Sequence, residues 1–265
     1  MKVTILGCGG SGGVPLAEGS PGGHWGRCDP DHPRNRRRRC SILVETQGRA
    51  VLIDTSPDLR AQLLDNAVER IDAVLLTHAH ADHLHGLDEL RSMANRRKAS
   101  ISAYIPRRDH AQITARFDYA FASSHTASRL YPAIYDDRPV EDGSFDLLGL
   151  PAQAFAQNHG NVTSTGYRIG SMAYSTDAKE LDEAAFAALR GIDLWIVDCL
   201  RYREHPTHSH FEQTLGWIER VKPKRALLTH LNHEMDYESL RAACPPGVEP
   251  AHDGLTVEIA DKGPD

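Results

Sequence analysis

Apolar positions along this chain gather in short runs, and most of the runs are too brief for helices. "KVTILG" from Lys2, "SILVET" from Ser41, "AVLIDT" from Ala50 and "IDAVLLTH" from Ile71 are six to eight residues long and rich in β-branched side chains. That length and composition predict strands. The same pattern recurs in "SISAYI" from Ser100, "SFDLLG" from Ser144, "PAQAFAQ" from Pro151, "STGYRI" from Ser164 and "SMAYST" from Ser171. It returns in "IDLWIVDCL" from Ile192, "RALLTHL" from Arg225 and "LTVEIA" from Leu255. Between these runs, residues 58–68, 83–97, 107–117, 181–190, 210–221 and 236–243 are predicted helices. Leu59, Leu63 and Leu64, and then Leu84, Leu87 and Leu90, have the spacing that places apolar side chains on one helical face.

Hairpin-like strands come first and strand–helix units follow, which predicts an α/β sandwich of mixed sheets. No Pro/Gly-rich linker divides residues 1–265, so a single domain is expected, with a frayed tail at residues 261–265. Two strands end alike, "VLLTH" at His78 and "ALLTH" at His230. Two halves of the chain thus deliver a histidine at the same relative position, as a duplicated half-unit facing one cleft would.

Charge and cysteine content narrow the classes. A formal net charge of -6 disfavours a general binder of nucleic acid or anionic membrane, since both need a positive field. The five cysteines, Cys8, Cys28, Cys40, Cys199 and Cys244, are odd in number and form no CxxC pair. They predict a reducing compartment and a cytoplasmic protein. The opening "MKVTILGCGGSGGVP" breaks at glycines, too soon for a signal peptide or a membrane span. Fifteen histidines are many for this length and raise the expectation of metal chemistry.

The densest chemistry lies in "THAHADH", where His78, His80, Asp82 and His83 follow directly on a strand. A loop leaving a strand can aim successive side chains inward, and imidazoles and carboxylates are ligands for divalent cations. Four donors do not complete two metal sites. Three residues elsewhere occupy the same kind of position: His159 after "PAQAFAQN", Asp177 after "SMAYST" and His230 after "RALLT". "GCGGSG" fits GxGxxG, but "GVP" follows at once, so no helix opens to meet a pyrophosphate. It reads as a glycine-rich loop beside the cleft. In "NRRRR", Arg36 and Arg37 are candidates to grip an anionic substrate, a solvated charge run being the competing reading. His85 reads as a helix-surface residue.

"THAHADH" with a later histidine, "YSTDA" and a late "LLTH" resembles the metallo-β-lactamase superfamily. "GCGGSGGVP", "NRRRRCSILVE", "LIDTSPDLR" and "THLNHEMDY" are similar to its PhnP-like branch, the cyclic-phosphoribosyl phosphodiesterases associated with carbon–phosphorus lyase. The resemblance runs from about residue 2 to residue 259. It implies a four-layer αββα sandwich and two divalent metal ions, zinc or manganese. His78, His80 and His159 would hold one, Asp82, His83 and His230 the other, and Asp177 would bridge them, Asp82 and Asp177 being catalytic as well as ligating. Asp54, in "LIDTS", would accept a ligand histidine's N–H; a plain helix N-cap is the equal alternative. His208, in "PTHSHF", would be general acid or phosphate-binding donor, with His210 competing for the role and an exposed helix start as the bland alternative. His233, in "THLNH", joins the substrate-binding set. Better-known members carry an extra structural zinc near the positions of His24, Cys28 and His233, but the cysteine cluster for it is missing here.

The function so implied is a phosphodiesterase acting on a small cyclic phosphate or nucleotide-like phosphodiester. A metal-bridged hydroxide would attack phosphorus, and His208 would protonate the departing oxygen. One rival is a transfer-RNA 3′-processing endonuclease, which shares the motifs but generally carries a protruding substrate-gripping arm; no long Gly/Pro/Lys-rich insertion occurs here. The other is a non-catalytic metal-binding carrier, against which all seven ligand positions are filled. A homodimer is the family-level expectation; nucleic acid and membrane are not expected partners.

Overall fold

The structure, a computed structural model, describes residues 1–19, 21–122 and 132–261; the rest of the expected frayed tail, beyond Asp261, lies outside the described residues. The first half runs β1 (Lys2–Gly7), β2 (Ser41–Thr46), β3 (Arg49–Ile53), α1 (Leu59–Asp65), β4 (Ala73–Leu75), α2 (Ala81–Leu84), α3 (Arg91–Arg97), β5 (Ile101–Pro106), α4 (Arg107–Arg116) and β6 (Tyr135–Val140). The second runs β7 (Gly143–Leu147), β8 (Leu150–His159), β9 (Val162–Ile169), β10 (Met172–Ser175), α5 (Glu183–Ala188), β11 (Leu194–Asp198), α6 (Phe211–Val221), β12 (Arg225–Thr229), α7 (Tyr237–Ala243), β13 (Val248–Pro250) and β14 (Thr256–Glu258). Two seven-stranded sheets result, ordered β14-β1-β2-β3-β4-β5-β6 and β13-β12-β11-β10-β9-β8-β7. Both are mixed: β1 to β3 pair antiparallel and β3 to β6 parallel, while β7 to β10 pair antiparallel and β10 to β13 parallel.

The period of two along each strand explains the layers. Val51, Ile53 and Leu75 meet Leu194, Ile196 and Leu227 between the sheets. The alternate positions Leu52, Val74 and Leu76 face Leu59, Leu84 and Leu87 of the helical layer over the first sheet. Trp195, Val197, Ala226 and Leu228 face Ala185 and Leu240 in the layer over the second. The chain is therefore an αββα sandwich with three apolar cores.

Three local expectations are corrected. Residues 83–97 do not form one helix: α2 ends at Leu84, a 3-10 turn covers Leu87–Leu90, and α3 begins at Arg91. The cause is a docked loop. Thr55 N–H donates to the His83 carbonyl at 2.8 Å, Thr55 Oγ1 donates to the Leu84 carbonyl at 3.1 Å, and Gly86 N–H donates to the Thr55 carbonyl at 2.9 Å. These bonds satisfy groups that would otherwise bond along a helix. A Cβ on Gly86 would lie 2.0 Å from the Ser56 carbonyl oxygen, so only glycine allows this approach. The run from Ile71 to His78 gives only the short β4, because its end crosses to the other sheet. The Thr77 carbonyl accepts from Thr165 N–H at 2.9 Å, and the Leu76 carbonyl accepts from the Tyr167 hydroxyl at 2.6 Å. Finally, β6 and β13 appear where no strand was predicted, and both lie at sheet edges. Among the described residues no helix is long and apolar enough to cross a membrane.

Candidate metal centre

Strand ends build the site. Asp54 follows β3, His78 follows β4, His159 closes β8, Asp177 follows β10, Asp198 closes β11 and His230 follows β12. Three of these residues turn sharply out of their sheets in the left-handed backbone region: Asp54 at φ 64°, Asp177 at φ 55° and His230 at φ 58°. That region disfavours side chains with a Cβ and concentrates at functional sites. The turn aims the side chain at the seam between the sheets instead of into a core.

All seven residues expected to ligate come together there. His78, His80, His159 and Asp177 form one group, and Asp82, His83, Asp177 and His230 form a second; within each, one donor atom per residue lies within 4.8 Å of the others. Asp177 belongs to both and divides its oxygens. Its Oδ1 is 3.4 Å from His159 Nε2 and 3.9 Å from His78 Nε2, while its Oδ2 is 3.0 Å from His83 Nε2 and 3.5 Å from His230 Nε2. Asp82 Oδ2 lies 3.2 Å from His83 Nε2 and 3.6 Å from His230 Nε2. His80 is exposed and Asp82 half-buried, so solvent reaches the site from their side.

The outer nitrogens are fixed by partners. His83 Nδ1 lies 2.6 Å from Asp54 Oδ2, and His159 Nδ1 lies 2.7 Å from the Thr207 carbonyl. Asp54 in turn accepts from Thr77 N–H at 2.8 Å and from the Thr77 hydroxyl at 2.9 Å. A ring that donates through Nδ1 presents a bare Nε2 lone pair inward, the form a cation needs. The Nε2 atoms of His78, His83 and His230 are buried without a hydrogen-bond partner among the described residues. Orphaned buried nitrogens are rare and costly. A divalent cation satisfies them, so the residues present fit a metal.

The ionisable groups bend one another's titration. Burial pushes the Asp177 carboxyl up, but His230 and His83 outweigh it and hold it well below the usual carboxylate range. Asp82 behaves likewise, burial losing to His83 and His230. Burial pushes His83 down, yet Asp177, Asp82 and Asp54 carry it well above an ordinary imidazole. His230, also opposed by burial, is lifted to about 9, chiefly by Asp177. His78, buried and beside His83, is held well below its ordinary value.

A second, unexpected carboxylate stands beside this cluster. Asp198, fully buried, accepts from Ala178 N–H at 3.1 Å and Ser209 N–H at 3.3 Å, and its Oδ2 lies 3.1 Å from His208 Nδ1. Its Oδ1 is 3.8 Å from His230 Nδ1. His208 stacks on His230 with ring centroids 4.6 Å apart, and its Nε2 is 3.9 Å from Asp177 Oδ1. His208 is thus brought to the cluster and oriented by a carboxylate that sequence reasoning passed over. The signal was available: "WIVDCL" closes an apolar run with an aspartate, as "VLIDTS" does for Asp54. His205 was also missed. Its ring sits 5.2 Å from that of His208, and burial, then His208 and Arg201, push it down to about 4.

The remaining predicted residues lie elsewhere. Arg37 does not face a substrate: it is 2% exposed, and its guanidinium donates to the carbonyls of Met235 at 2.6 Å and Asn232 at 3.1 Å and to Asn35 Oδ1 at 3.2 Å. Burial with its donors already spent is the physical reason for this correction. Arg36 is exposed with its guanidinium over the Trp25 ring, 4.9 Å from the centroid. His210 caps α6, and its strand-like backbone pairs with Arg201. The His233 ring lies 5.2 Å from that of His24 and packs against Gly26, away from the two ligand groups. Cys28 sits 3.8 Å from Arg37 Nη1, and no metal-capable group of three forms around Cys28, His24 and His233 among the described residues. His85 is exposed beside Phe117.

Comparison with known proteins gives four findings. A family model described as a β-lactamase superfamily domain matches residues 49–231. A solved structure described as a new diphosphatase from the PhnP family is 32% identical, covers 99% of this chain and 99% of its own, and superposes with a TM-score of 0.88. An octanoyltransferase of Porphyromonas gingivalis is 33% identical over 99% of this chain and 52% of its own length, so the chain spans about half of that relative. Zn(2+)-bound PqqB of Methylobacterium extorquens, 22% identical over 98% of this chain and 100% of its own with a TM-score of 0.73, shares the fold.

Proposed function

The chain belongs to the β-lactamase superfamily and to its PhnP-like branch, and from that premise we propose that this metal-dependent hydrolase is a phosphodiesterase using two divalent cations. Its substrate is a small cyclic phosphate or nucleotide-like phosphodiester. One observation carries the reading: two histidine–carboxylate groups share Asp177, one carboxylate oxygen facing each. Two groups built of imidazole and carboxylate donors suit zinc or manganese.

His78, His80, His159 and Asp177 would hold one cation, and Asp82, His83, His230 and Asp177 the other. When bound, such cations supply Lewis acidity toward phosphoryl oxygens and a nucleophile at neutral pH. The chain's own residues do the rest. Asp54 and the Thr207 carbonyl hold the ligand rings in the required tautomer. Asp198 accepts a hydrogen bond from His208 Nδ1–H and so orients the ring with Nε2 toward the departing oxygen, to which it would deliver a proton. No cysteine or serine nucleophile is needed. A small anionic diester also agrees with the net charge of -6, which does not favour a long polyanion.

The test is turnover of bis(p-nitrophenyl) phosphate by purified protein loaded with zinc or manganese. Hydrolysis that vanishes in His78→Ala and His230→Ala variants is expected. A preparation with full metal content and no phosphodiester turnover would overturn the proposal.

A further inference from the structure

The loop that carries His78 and His80 is tied to its surroundings through its carbonyls. The Leu76 carbonyl accepts from the Tyr167 hydroxyl, the Thr77 carbonyl from Thr165 N–H, and the His80 carbonyl from His83 N–H at 3.2 Å. The Ala79 carbonyl, between the two ligands, accepts from a cationic side chain instead: Arg116 Nη1 donates to it at 2.7 Å. Arg116 stands in the last turn of α4, and Asp109, Ile113 and Arg116 have the i, i+4, i+7 spacing of one helical face, with Ile113 buried. Asp109 Oδ2 is buried without a partner, and burial raises that carboxyl against the pull of Arg108 and His80. One face of α4 therefore lies along the ligand loop.

That bond matters because of what holds the other ligands. His78 Nδ1 lies 3.0 Å from Thr77 Oγ1, His159 Nδ1 has the Thr207 carbonyl, and His83 Nδ1 has Asp54. The ring of His80 is exposed and makes no hydrogen bond among the described residues, so its direction is left to the main chain. Ala79 C=O and His80 N–H belong to one rigid peptide plane. Fixing the Ala79 oxygen fixes the plane from which His80 departs. The second group is held by other means. Thr55 N–H donates to the His83 carbonyl, Asp54 holds the His83 ring, and His230 arrives from β12.

Resting on the two-cation reading, we propose that Arg116 is a positioning residue for one cation alone. Its guanidinium sets His80, and so governs how tightly the group of His78, His80 and His159 holds its ion, while the group around His83 and His230 does not depend on it.

The experiment compares the wild type with Arg116→Leu, which removes the donor, and Arg116→Lys, which keeps a donor and the charge. Arg107→Leu is the control, since it breaks only an exposed ion pair with Glu141 on the same helix. Metal-stripped proteins are titrated with zinc and with manganese by calorimetry, and His80→Ala marks which ion belongs to the first group. Amide hydrogen exchange is followed in the metal-free forms. Arg116→Leu is expected to bind the first group's ion about 10- to 100-fold more weakly and the other ion as the wild type does. Amides of residues 78–81 should exchange about tenfold faster, the weight of one hydrogen bond to a charged donor. Arg116→Lys recovers most of both losses, and Arg107→Leu matches the wild type. Equal weakening of both ions, or unchanged affinity for both, would overturn the proposal. Tighter binding in Arg116→Leu would overturn it too, because the guanidinium would then act only as a like charge beside the cation. A wild type that binds a single ion sinks the two-cation reading; exchange at residues 78–81 then decides whether Arg116 holds the loop, and unchanged exchange there rules it out.

Discussion

Replacing Asp198 by asparagine isolates the acid–base half of the site from the metal half. The side chain keeps its shape, and its amide oxygen can still accept from Ala178 N–H and Ser209 N–H, which now hold Oδ2 at 3.1 and 3.3 Å. What disappears is the negative charge 3.1 Å from His208 Nδ1, in a place where both partners are buried. A hydrogen bond to a charged group is worth about 1.5–3 kcal/mol. Since about 1.4 kcal/mol is a factor of ten in rate, Asp198→Asn should slow turnover roughly 10- to 100-fold. His208→Ala removes the acid altogether and should cost about 100- to 10,000-fold. The loss should be larger with an alkyl leaving group than with p-nitrophenolate, which departs without a proton. Steady-state rates on both kinds of ester, with elemental analysis of each preparation, measure this. The decisive comparison is the double variant. If Asp198 acts through His208, Asp198→Asn adds nothing once His208 is gone. Losses that multiply, or activity that falls in step with metal content, would refute the assignment.

Further outcomes follow from the same geometry. Asp54→Ala strips His83 of its 2.6 Å partner and should weaken metal affinity about 10- to 100-fold by equilibrium dialysis; an unchanged affinity contradicts the orienting role. His230, lifted to about 9, and His83, lifted well above its ordinary value, hold protons at pH 7 that a cation must displace. Metal uptake should therefore release more than one proton, read from calorimetry in buffers of different ionisation heat, and affinity should rise with pH toward 9. For metal-stripped protein the sign reverses: the stability from His230 is complete below 6.5, its ordinary value, and is lost as pH rises through about 9. Arg37→Met leaves the Asn232 and Met235 carbonyls without their donor, and should cost on the order of 3 kcal/mol in denaturant melts while leaving phosphate-ester KM unchanged. A raised KM with unchanged stability would restore Arg37 to substrate binding.

How much of this was legible in the sequence depends on which residues face one another locally. Each candidate ligand position could be read because a strand announces itself by an apolar run, and a histidine or aspartate just past its end stands out against it. The edge strands were hidden for the opposite reason. "YDDRPV" in β6 carries charges and Pro139, and β13 ends on Pro250, the composition that protects an open sheet edge from pairing with another chain. The break in residues 83–97 was invisible because its cause lies about thirty positions away, in Thr55 and Ser56. Arg37 misled for a similar reason. Its run reads as a solvated or substrate-facing face, and only the arrival of the loop around Asn232 and Met235 buries it.

The left-handed turns at Asp54, Asp177 and His230 also restrict what natural variation can do. Backbones of that hand welcome glycine, asparagine and aspartate, and tolerate histidine less readily. Cation chemistry asks for aspartate or histidine. The overlap of the two vocabularies is nearly a single word at each position. A library of this chain selected only for staying folded would drift there toward asparagine and glycine, relieving tension in the main chain, whereas one selected for turnover would stand still.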